Sequence, residues 1–245
     1  MRQFGLIGFP LGHSFSKKYF THKFENESID AKYELYELPS IEKFVELKAD
    51  ETLWGVNVTI PYKEQVMPYL DEIDTTAAKI GAVNVIKFIR KDGKLSLKGY
   101  NSDAVGFENS LKPLLTPVHT KALILGTGGA SKAIDYSLKK MGLETRYVSR
   151  TPKEGAFTYS DLNASIMGEF LVIVNASPVG TFPHVDECPA IPYQYLSNQH
   201  VLFDAVYNPA ETLFLKKGKM AGCTGMNGEQ MLIGQAEEAW RIWNE

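Results

Sequence analysis

The chain has 245 residues, of which 44% are hydrophobic and 22% charged, and its formal net charge at pH 7 is −3. These values are ordinary for a globular protein and give no reason to expect nucleic acid or a membrane surface as a partner. The two cysteines, Cys188 and Cys223, show no metal-binding spacing with a histidine. We therefore expect a cytoplasmic protein with two free thiols, no metal and no signal peptide.

Strand and helix patterns alternate in the first part of the chain. Strands are predicted at 4–8, 32–38 and 54–60, and helices at 16–27, at 40–48, from residue 63 onward and at 74–80. An Asp-Gly step at 92–93 joins two strand-like runs, 82–89 and 95–100, and predicts a hairpin. A helix is predicted at 103–111, and Pro113 and Pro117 after it predict a linker to a second domain.

The second part of the chain alternates more regularly. Strands are predicted at 121–126, 144–149, 170–175 and 200–204, and helices at 129–141, 160–166 and 210–217. This alternation predicts a doubly wound parallel sheet. A last helix at 228–243 carries a stripe at helical spacing that we expect to be mostly core, formed by Met231, Leu232, Ala236, Ala239 and Trp240.

Polar segments follow two of the predicted strands. They read NVTIPYK at 57–63 and NSD at 101–103, with GAVN at 81–84 between them. Strand ends are where α/β folds expose functional groups. Lys63 and Asp103 suit an ammonium–carboxylate pair, and a partly desolvated lysine beside a carboxylate can pass a proton near neutral pH. The same two residues also suit a structural ion pair beside a strand end.

A glycine-rich turn joins the first strand and helix of the second part, in the segment KALILGTGGAS at 121–131. Gly126 permits a tight turn, and Gly128 lets the backbone approach a ligand. The helix N-terminus offers amide donors to a pyrophosphate. The predicted cofactor residues of this turn are Gly126, Thr127, Gly128, Gly129 and Ala130. A glycine turn of this kind also occurs as a plain strand–helix connection.

The end of the next strand indicates which dinucleotide is bound. In an NAD site, an Asp or Glu about 20 residues beyond the glycine turn binds the ribose 2′-hydroxyl. Here that place holds Ser149 and Arg150. Together with Thr151 and Lys153, these side chains suit a 2′-phosphate, which predicts NADP as the cofactor. The alternative is that Arg150 is an ordinary exposed arginine after a strand.

These motifs and several further segments resemble the shikimate dehydrogenase family nearly end to end. They occur in the family's order, as GFPLGHSFS at 8–16, NVTIPYK at 57–63, GAVN at 81–84, NSD at 101–103, GTGGA at 126–130, NASPVG at 175–180, DAVYNP at 204–209 and GEQMLIGQA at 228–236. Three positions depart from the family pattern: Lys17 stands for proline, Val85 for threonine and Ser149 for asparagine. We assign His13, within the first segment, no catalytic role.

The resemblance implies an α/β protein with two domains. An N-terminal α/β substrate-binding domain would occupy 1–102, and a Rossmann-type, doubly wound NADP-binding domain 103–227. The C-terminal helix at 228–245 would pack back on the first domain. We expect a monomer or a homodimer whose partner is a small-molecule substrate.

The activity that the resemblance implies is the reversible, NADPH-dependent reduction of 3-dehydroshikimate to shikimate in aromatic amino-acid biosynthesis. Lys63 would donate a proton or stabilise the developing oxyanion, and Asp103 would orient it. Neutral hydrogen-bonding groups would hold the polyhydroxylated ring, with the first two suiting its carboxylate: Ser14, Ser16, Asn57, Thr59, Asn84, Asn101, Tyr207 and Gln235. The family pattern also places four residues at the cofactor, namely Ala176, Ser177, Val206 and Gly228.

Structural roles compete with the binding roles at several of these positions. Ser14 and Ser16 suit helix N-caps, Asn84 and Asn101 suit turns at strand ends, and Tyr207 suits packing.

Two alternative functions also stay open. Lys17 and Val85 motivate a paralogue that acts on quinate or on another hydroxylated ring acid. From another class, the chain would be a ligand-binding regulator without turnover. Lys63 and Asp103 argue against a regulator, because a binder needs no proton-transfer pair.

Overall fold

A computed structural model describes residues 1–12 and 14–245, and its contacts divide the chain into two units. The first unit is Met1–Ser102 together with Gln235–Glu245, and the second unit is Asp103–Gly234. His13 lies outside the described residues, so its assignment stays a prediction. The substrate-binding and NADP-binding roles assigned to the two domains also stay predictions.

The first unit contains a mixed sheet in the order β2-β1-β3-β5-β6-β4. Its strands are β1 (Arg2–Gly8), β2 (Ala31–Glu37), β3 (Leu53–Val58), β4 (Glu72–Ile73), β5 (Val85–Lys91) and β6 (Lys94–Tyr100), and its helices are α1 (Phe15–Asn26), α2 (Tyr62–Gln65) and α3 (Thr75–Ile80). β1 pairs in parallel with β2 and β3, whereas β5 runs antiparallel to β3 and β6. The segment predicted as a helix at 40–48 is a 3-10 helix, Ile41–Ala49, and a second 3-10 helix is Met67–Tyr69.

Local sequence signals account for several of these elements. Asp92 and Gly93 both have positive φ, at 52° and 75°, as the two-residue hairpin turn between β5 and β6 requires. Asp74 caps α3 by accepting hydrogen bonds from the backbone of Thr76 and Ala77, and Gly81 ends that helix in the left-handed region. The predicted hairpin and the helix predicted at 74–80 are therefore confirmed.

Apolar side chains cover both faces of this sheet. Neighbouring residues of β5 show the division, because Val85 and Ile86 belong to different buried clusters. The cluster of Ile86 draws its residues from β1, β3, β5 and β6, from α2 and α3, and from the 3-10 helix Ile41–Ala49. The cluster of Val85 contains Phe4, Phe20, Phe24, Tyr33 and residues of the C-terminal helix, namely Ala236, Ala239, Ile242 and Trp243. The C-terminal helix thus supplies one wall of the core of the first unit.

The second unit contains a sheet in which every pairing is parallel, in the order β12-β11-β10-β7-β8-β9. Its strands are β7 (Lys121–Leu125), β8 (Glu144–Ser149), β9 (Ala156–Thr158), β10 (Val172–Asn175), β11 (Val201–Asp204) and β12 (Thr224–Met226). The strand order reverses between β7 and β10. This is the doubly wound Rossmann order, and it confirms the predicted fold class.

Helices of the second unit are α4 (Asp103–Leu111), α5 (Gly129–Lys140), α6 (Ala164–Glu169), α7 (Leu213–Met220) and the start of α8 (Glu229–Asn244), with 3-10 helices at Lys112–Leu114, Tyr159–Asp161 and Tyr193–Tyr195. α4 packs on α5, where the Ser137 hydroxyl donates to the Ala104 carbonyl at 3.0 Å. Pro113 and Pro117 therefore lie inside this unit and mark no linker. The first turns of α8 also belong here, and its residues from Gln235 belong to the first unit.

Gly55 of β3 lies against the indole of Trp243. This contact predicts how the added methyl group of an alanine at Gly55 would change stability. A Cβ at Gly55 would overlap Trp243, whose Nε1 donates to the Ile86 carbonyl at 3.1 Å. We expect Gly55→Ala to lower the free energy of unfolding by about 1–3 kcal/mol, the usual cost of overpacking. Urea unfolding measures this. The control is Gly168→Ala, because a Cβ at Gly168 meets nothing within 4 Å.

Candidate functional site

The glycine-rich turn lies at the carboxyl end of β7, directly before α5. Gly126 has a φ of 108°, and its amide donates to the Val148 carbonyl at 3.1 Å. A Cβ there would press on Ser177 at 3.2 Å, so glycine is required. Around Gly128 no atom lies within 4 Å of such a Cβ, which leaves room for a ligand at the helix N-terminus. The structure thus places the predicted turn residues, including Thr127, Gly129 and Ala130, between a strand and a helix.

The basic segment after β8 lies beside this turn. Ser149 ends β8, and its hydroxyl accepts the Thr151 amide at 3.4 Å. Lys153 reaches the turn itself, because its Nζ donates to the Thr127 hydroxyl at 3.0 Å. Arg150 is exposed, and its charge opposes the rise in the pKa of Tyr159 that burial causes. The segment therefore carries two cations after β8, of which Lys153 contacts the turn.

A buried carboxylate holds the loops after β10 and β11. Asp204 is fully buried, and its Oδ1 accepts the side-chain amide of Asn175 at 2.9 Å and the backbone amide of Val206 at 3.0 Å. Its Oδ2 accepts the Thr212 hydroxyl at 2.6 Å. Asn175 Oδ1 in turn accepts the backbone amide and hydroxyl of Ser177, at 3.1 and 2.6 Å. The carboxylate thereby fixes two predicted cofactor residues, Ser177 and Val206.

The other predicted residues on these loops have different surroundings. Ala176 extends the ladder of β7, because its amide donates to the Leu125 carbonyl at 2.9 Å. Gly228 packs against the backbone of Ala205, where a Cβ would overlap the carbonyl oxygen. This close approach explains the glycine without any ligand. Tyr207 follows β11 and is 40% exposed.

In the first unit, three predicted asparagines lie at neighbouring strand ends. Asn57, Asn84 and Asn101 are 3%, 2% and 6% exposed. The Asn84 side chain accepts the Ser102 amide at 2.7 Å and donates to the Ser102 hydroxyl at 3.0 Å. Asn101 donates to the Ala82 carbonyl at 2.9 Å. Asn84 and Asn101 therefore fill the structural role of strand-end residues, and Asn84 fixes the residue before Asp103.

Tyr33 contacts a further predicted residue and was missed by sequence analysis. Its hydroxyl donates to Asn57 Oδ1 at 2.7 Å. Burial raises the pKa of Tyr33 well above its ordinary value. Ser14 caps α1, accepting the Lys17 amide at 3.2 Å, whereas Ser16 lies within the first turn. The N-cap alternative is thus confirmed for Ser14 and wrong for Ser16.

The remaining predicted residues lie on both units. Thr59 follows β3 and is half-buried, and Lys63 lies in α2, where its carbonyl accepts the Val83 amide at 2.8 Å. Gln235 is 7% exposed in the first unit, and Asp103 is 7% exposed at the start of α4 in the second. The catalytic pairing of Lys63 with Asp103 stays a prediction.

Two further observations concern metals and membranes. Within residues 1–12 and 14–245, no group of three or more His, Cys, Asp or Glu side chains is arranged to hold a metal ion. No helix in that same part of the chain is long and apolar enough to cross a membrane. Cys188 and Cys223 are free thiols.

A glycine turn at the reversal of a parallel sheet, with cations after the second strand, defines a dinucleotide-binding protein of the Rossmann class. Residues 6–86 match the family described as the shikimate dehydrogenase substrate binding domain. The NADP-dependent shikimate dehydrogenase of Clostridium beijerinckii is 38% identical over 100% of this chain and 93% of its own. The chain belongs to the shikimate dehydrogenase family.

Solved structures agree with this assignment. The crystal structure of shikimate dehydrogenase from Aquifex aeolicus has a TM-score of 0.85 at 35% identity, covering 99% of this chain and 92% of that one. The enzyme from Thermus thermophilus, solved in complex with NADP(H) and shikimate, has a TM-score of 0.85 at 30% identity, covering 99% and 93%.

The buried Asp204 predicts a pH dependence of stability. Burial raises the pKa of Asp204 from 3.8 to about 6, and Tyr193 is the titratable group beside it. Between about pH 4 and pH 6 the folded state therefore binds more protons than the unfolded state. The free energy of unfolding should fall by up to about 3 kcal/mol as pH rises through this window. Urea unfolding at several pH values measures this, and the fall should disappear in Asp204→Asn. A fall of equal size in that variant would assign it to other groups.

Proposed function

We propose that the protein catalyses the reversible, NADP-dependent interconversion of 3-dehydroshikimate and shikimate, a step of aromatic amino-acid biosynthesis. The observation that carries this proposal is full-length similarity to NADP-dependent shikimate dehydrogenases, at 35% and 38% identity over 98% and 100% of the chain. A spectrophotometric assay of NADP reduction with shikimate, followed by quinate, tests the proposal. No NADP reduction with shikimate would overturn it.

NADP supplies the hydride when bound, and we assign its binding to the second unit. The glycine turn and the amides at the start of α5 suit the pyrophosphate. Ser149, Arg150, Thr151 and Lys153 suit the 2′-phosphate, because a carboxylate in their place would repel it. Ser177 and Val206, held by Asp204, would contact the rest of the cofactor.

The first unit suits a polyhydroxylated ring acid. The polar cluster at its strand ends, formed by Asn57, Asn84 and Asn101, consists of neutral side chains. Such side chains can form hydrogen bonds with ligand hydroxyl groups in fixed directions without adding a net charge. Ser14, at the start of α1, suits the carboxylate of such a ligand, because its oxygen already accepts a backbone amide and its hydrogen points elsewhere. Ser16, Asn57, Thr59, Asn101 and Gln235 would address the hydroxyl groups.

Lys63 and Asp103 are assigned to the proton. When hydride reaches the carbonyl carbon, negative charge grows on its oxygen. Lys63 would stabilise this charge and deliver the proton, and in the reverse direction it would accept the proton from the hydroxyl. Asp103 would favour the protonated lysine, since a nearby opposite charge raises the pKa of an ammonium group.

The two sequence departures that favoured quinate as an alternative substrate have structural explanations. Val85, one of the two departures that favoured it, is fully buried in the core, where it pairs with Asn57 and Tyr100 in the sheet. Lys17, the other departure, forms an ion pair with Glu34 at 3.0 Å. Both residues have structural roles. A cytoplasmic location and a monomeric or homodimeric state stay predictions from the sequence.

Arg150 should determine the choice of cofactor. A charge-assisted contact to the 2′-phosphate contributes roughly 1.5–3 kcal/mol, or about 10- to 150-fold. We expect Arg150→Ala to lower kcat/KM for NADP by that factor and to leave the value for NAD nearly unchanged. Arg146→Ala is the matched control, since Arg146 lies on β8 and pairs with Glu144. Equal losses with NADP and NAD would contradict the assignment.

Lys63 should matter for turnover more than for binding. We expect Lys63→Ala to reduce kcat by about 10²–10⁴-fold, the usual contribution of a general acid–base group. The KM for shikimate should change far less, because the neutral hydrogen-bonding residues remain. Lys79→Ala, at an exposed lysine of α3, is the control.

Asp103→Asn distinguishes a catalytic pair from two independent residues. This change keeps the shape but removes the charge, so it should lower kcat and shift the pH profile. The double variant should lose less than the two single losses combined, because the pair acts as one unit. If Lys63→Ala raised KM alone, Lys63 would be a binding residue and the proposed mechanism would be wrong.

A further inference from the structure

The buried hydrogen bonds around Asn57 fix the orientation of its side-chain amide. Nδ2 donates to the Asn84 carbonyl at 3.4 Å, and Oδ1 accepts the Tyr33 hydroxyl at 2.7 Å. The Asn84 carbonyl is held in place, because it also accepts the Val58 amide at 2.8 Å. Reversing the Asn57 amide would set its oxygen against this carbonyl, and two acceptors would face each other in the interior. The amide oxygen therefore points at Tyr33.

This orientation decides where the single hydrogen of the Tyr33 hydroxyl lies. Asn57 Oδ1 can only accept, so the hydrogen must point toward Asn57. Tyr33 cannot turn away, because it is 3% exposed and its ring stacks on Phe20 at 4.8 Å and 12°. Burial also raises the pKa of Tyr33, which keeps the hydroxyl protonated.

Asn57 consequently offers a ligand a defined group. Its oxygen faces Tyr33 and one amide hydrogen is used on the Asn84 carbonyl. The second amide hydrogen is therefore the donor that Asn57 has left for a ligand.

We propose that Tyr33 is a positioning residue of the substrate site, which sets the direction of the Asn57 side-chain amide. This inference rests on the proposed function for the identity of the ligand. Tyr33 acts through Asn57, since its hydroxyl hydrogen is used on Asn57 Oδ1.

Tyr33→Phe tests the proposal, because it removes one oxygen and keeps the stacked ring. Asn57 loses the bond that fixes its amide, and we expect the KM for shikimate to rise about tenfold, which corresponds to about 1.4 kcal/mol. The kcat and the KM for NADP should change by less than about twofold, a split that general destabilisation would not produce. Tyr36→Phe is the matched control, because Tyr36 lies on the same strand and its hydroxyl pairs with Gln3. An unchanged KM for shikimate in Tyr33→Phe, or an equal rise in Tyr36→Phe, would overturn the proposal.

A second measurement separates this inference from the proposed function. The side-chain amide signals of Asn57, assigned in ¹⁵N NMR spectra by their loss in Asn57→Asp, report the bond to Tyr33 without any substrate. They should shift in Tyr33→Phe and stay in place in Tyr36→Phe. If the unaltered protein fails to turn over shikimate, the proposed function falls, and the amide shift still decides the role of Tyr33.

Discussion

Asn84 joins the ends of three strands, and the arrangement of the polar cluster in the first unit depends on it. Its amide donates to the Tyr100 carbonyl at 3.0 Å, at the end of β6. Its carbonyl accepts the Val58 amide at 2.8 Å, at the end of β3, and its side chain binds Ser102. At 2% exposure, each of these groups needs a partner. One asparagine therefore sets the orientation of Asn57 and the start of the chain segment that carries Asp103.

In the second unit, a charged side chain holds the strand ends in the way that Asn84 does in the first. Asp204 gathers donors from the loops after β10 and β11 and from Thr212, the N-cap of α7. A buried carboxylate accepts more hydrogen bonds than an amide oxygen, but desolvation opposes its ionised form. The raised pKa of Asp204 shows that its hydrogen bonds offset this penalty only in part. An asparagine could not replace it without turning one acceptor into a donor that faces Thr212.

Sequence patterns were sufficient for the long elements and for the glycine turn. Periodicity, the Asp-Gly step and the caps identified most strands and helices, because these signals are local. Strands of two or three residues, β4, β9 and β12, carry too little pattern to be recognised. The segment at 41–49 has helical spacing but forms a 3-10 helix, and spacing alone does not distinguish the two kinds of helix. Tyr33 was missed because its link to Asn57 spans 24 residues and arises from strand register.

The return of α8 to the first unit has a consequence for synthesis of the chain. The apolar face formed by Phe4, Phe20 and Val85 is made early, but Ala236, Ala239 and Trp243, which cover it, are made last. At synthesis rates of roughly 5–20 residues per second, this face waits on the order of ten seconds for its cover. The second unit, apart from the start of α8, emerges during that interval. The nascent chain thus exposes this apolar surface while most of the second unit is being synthesised.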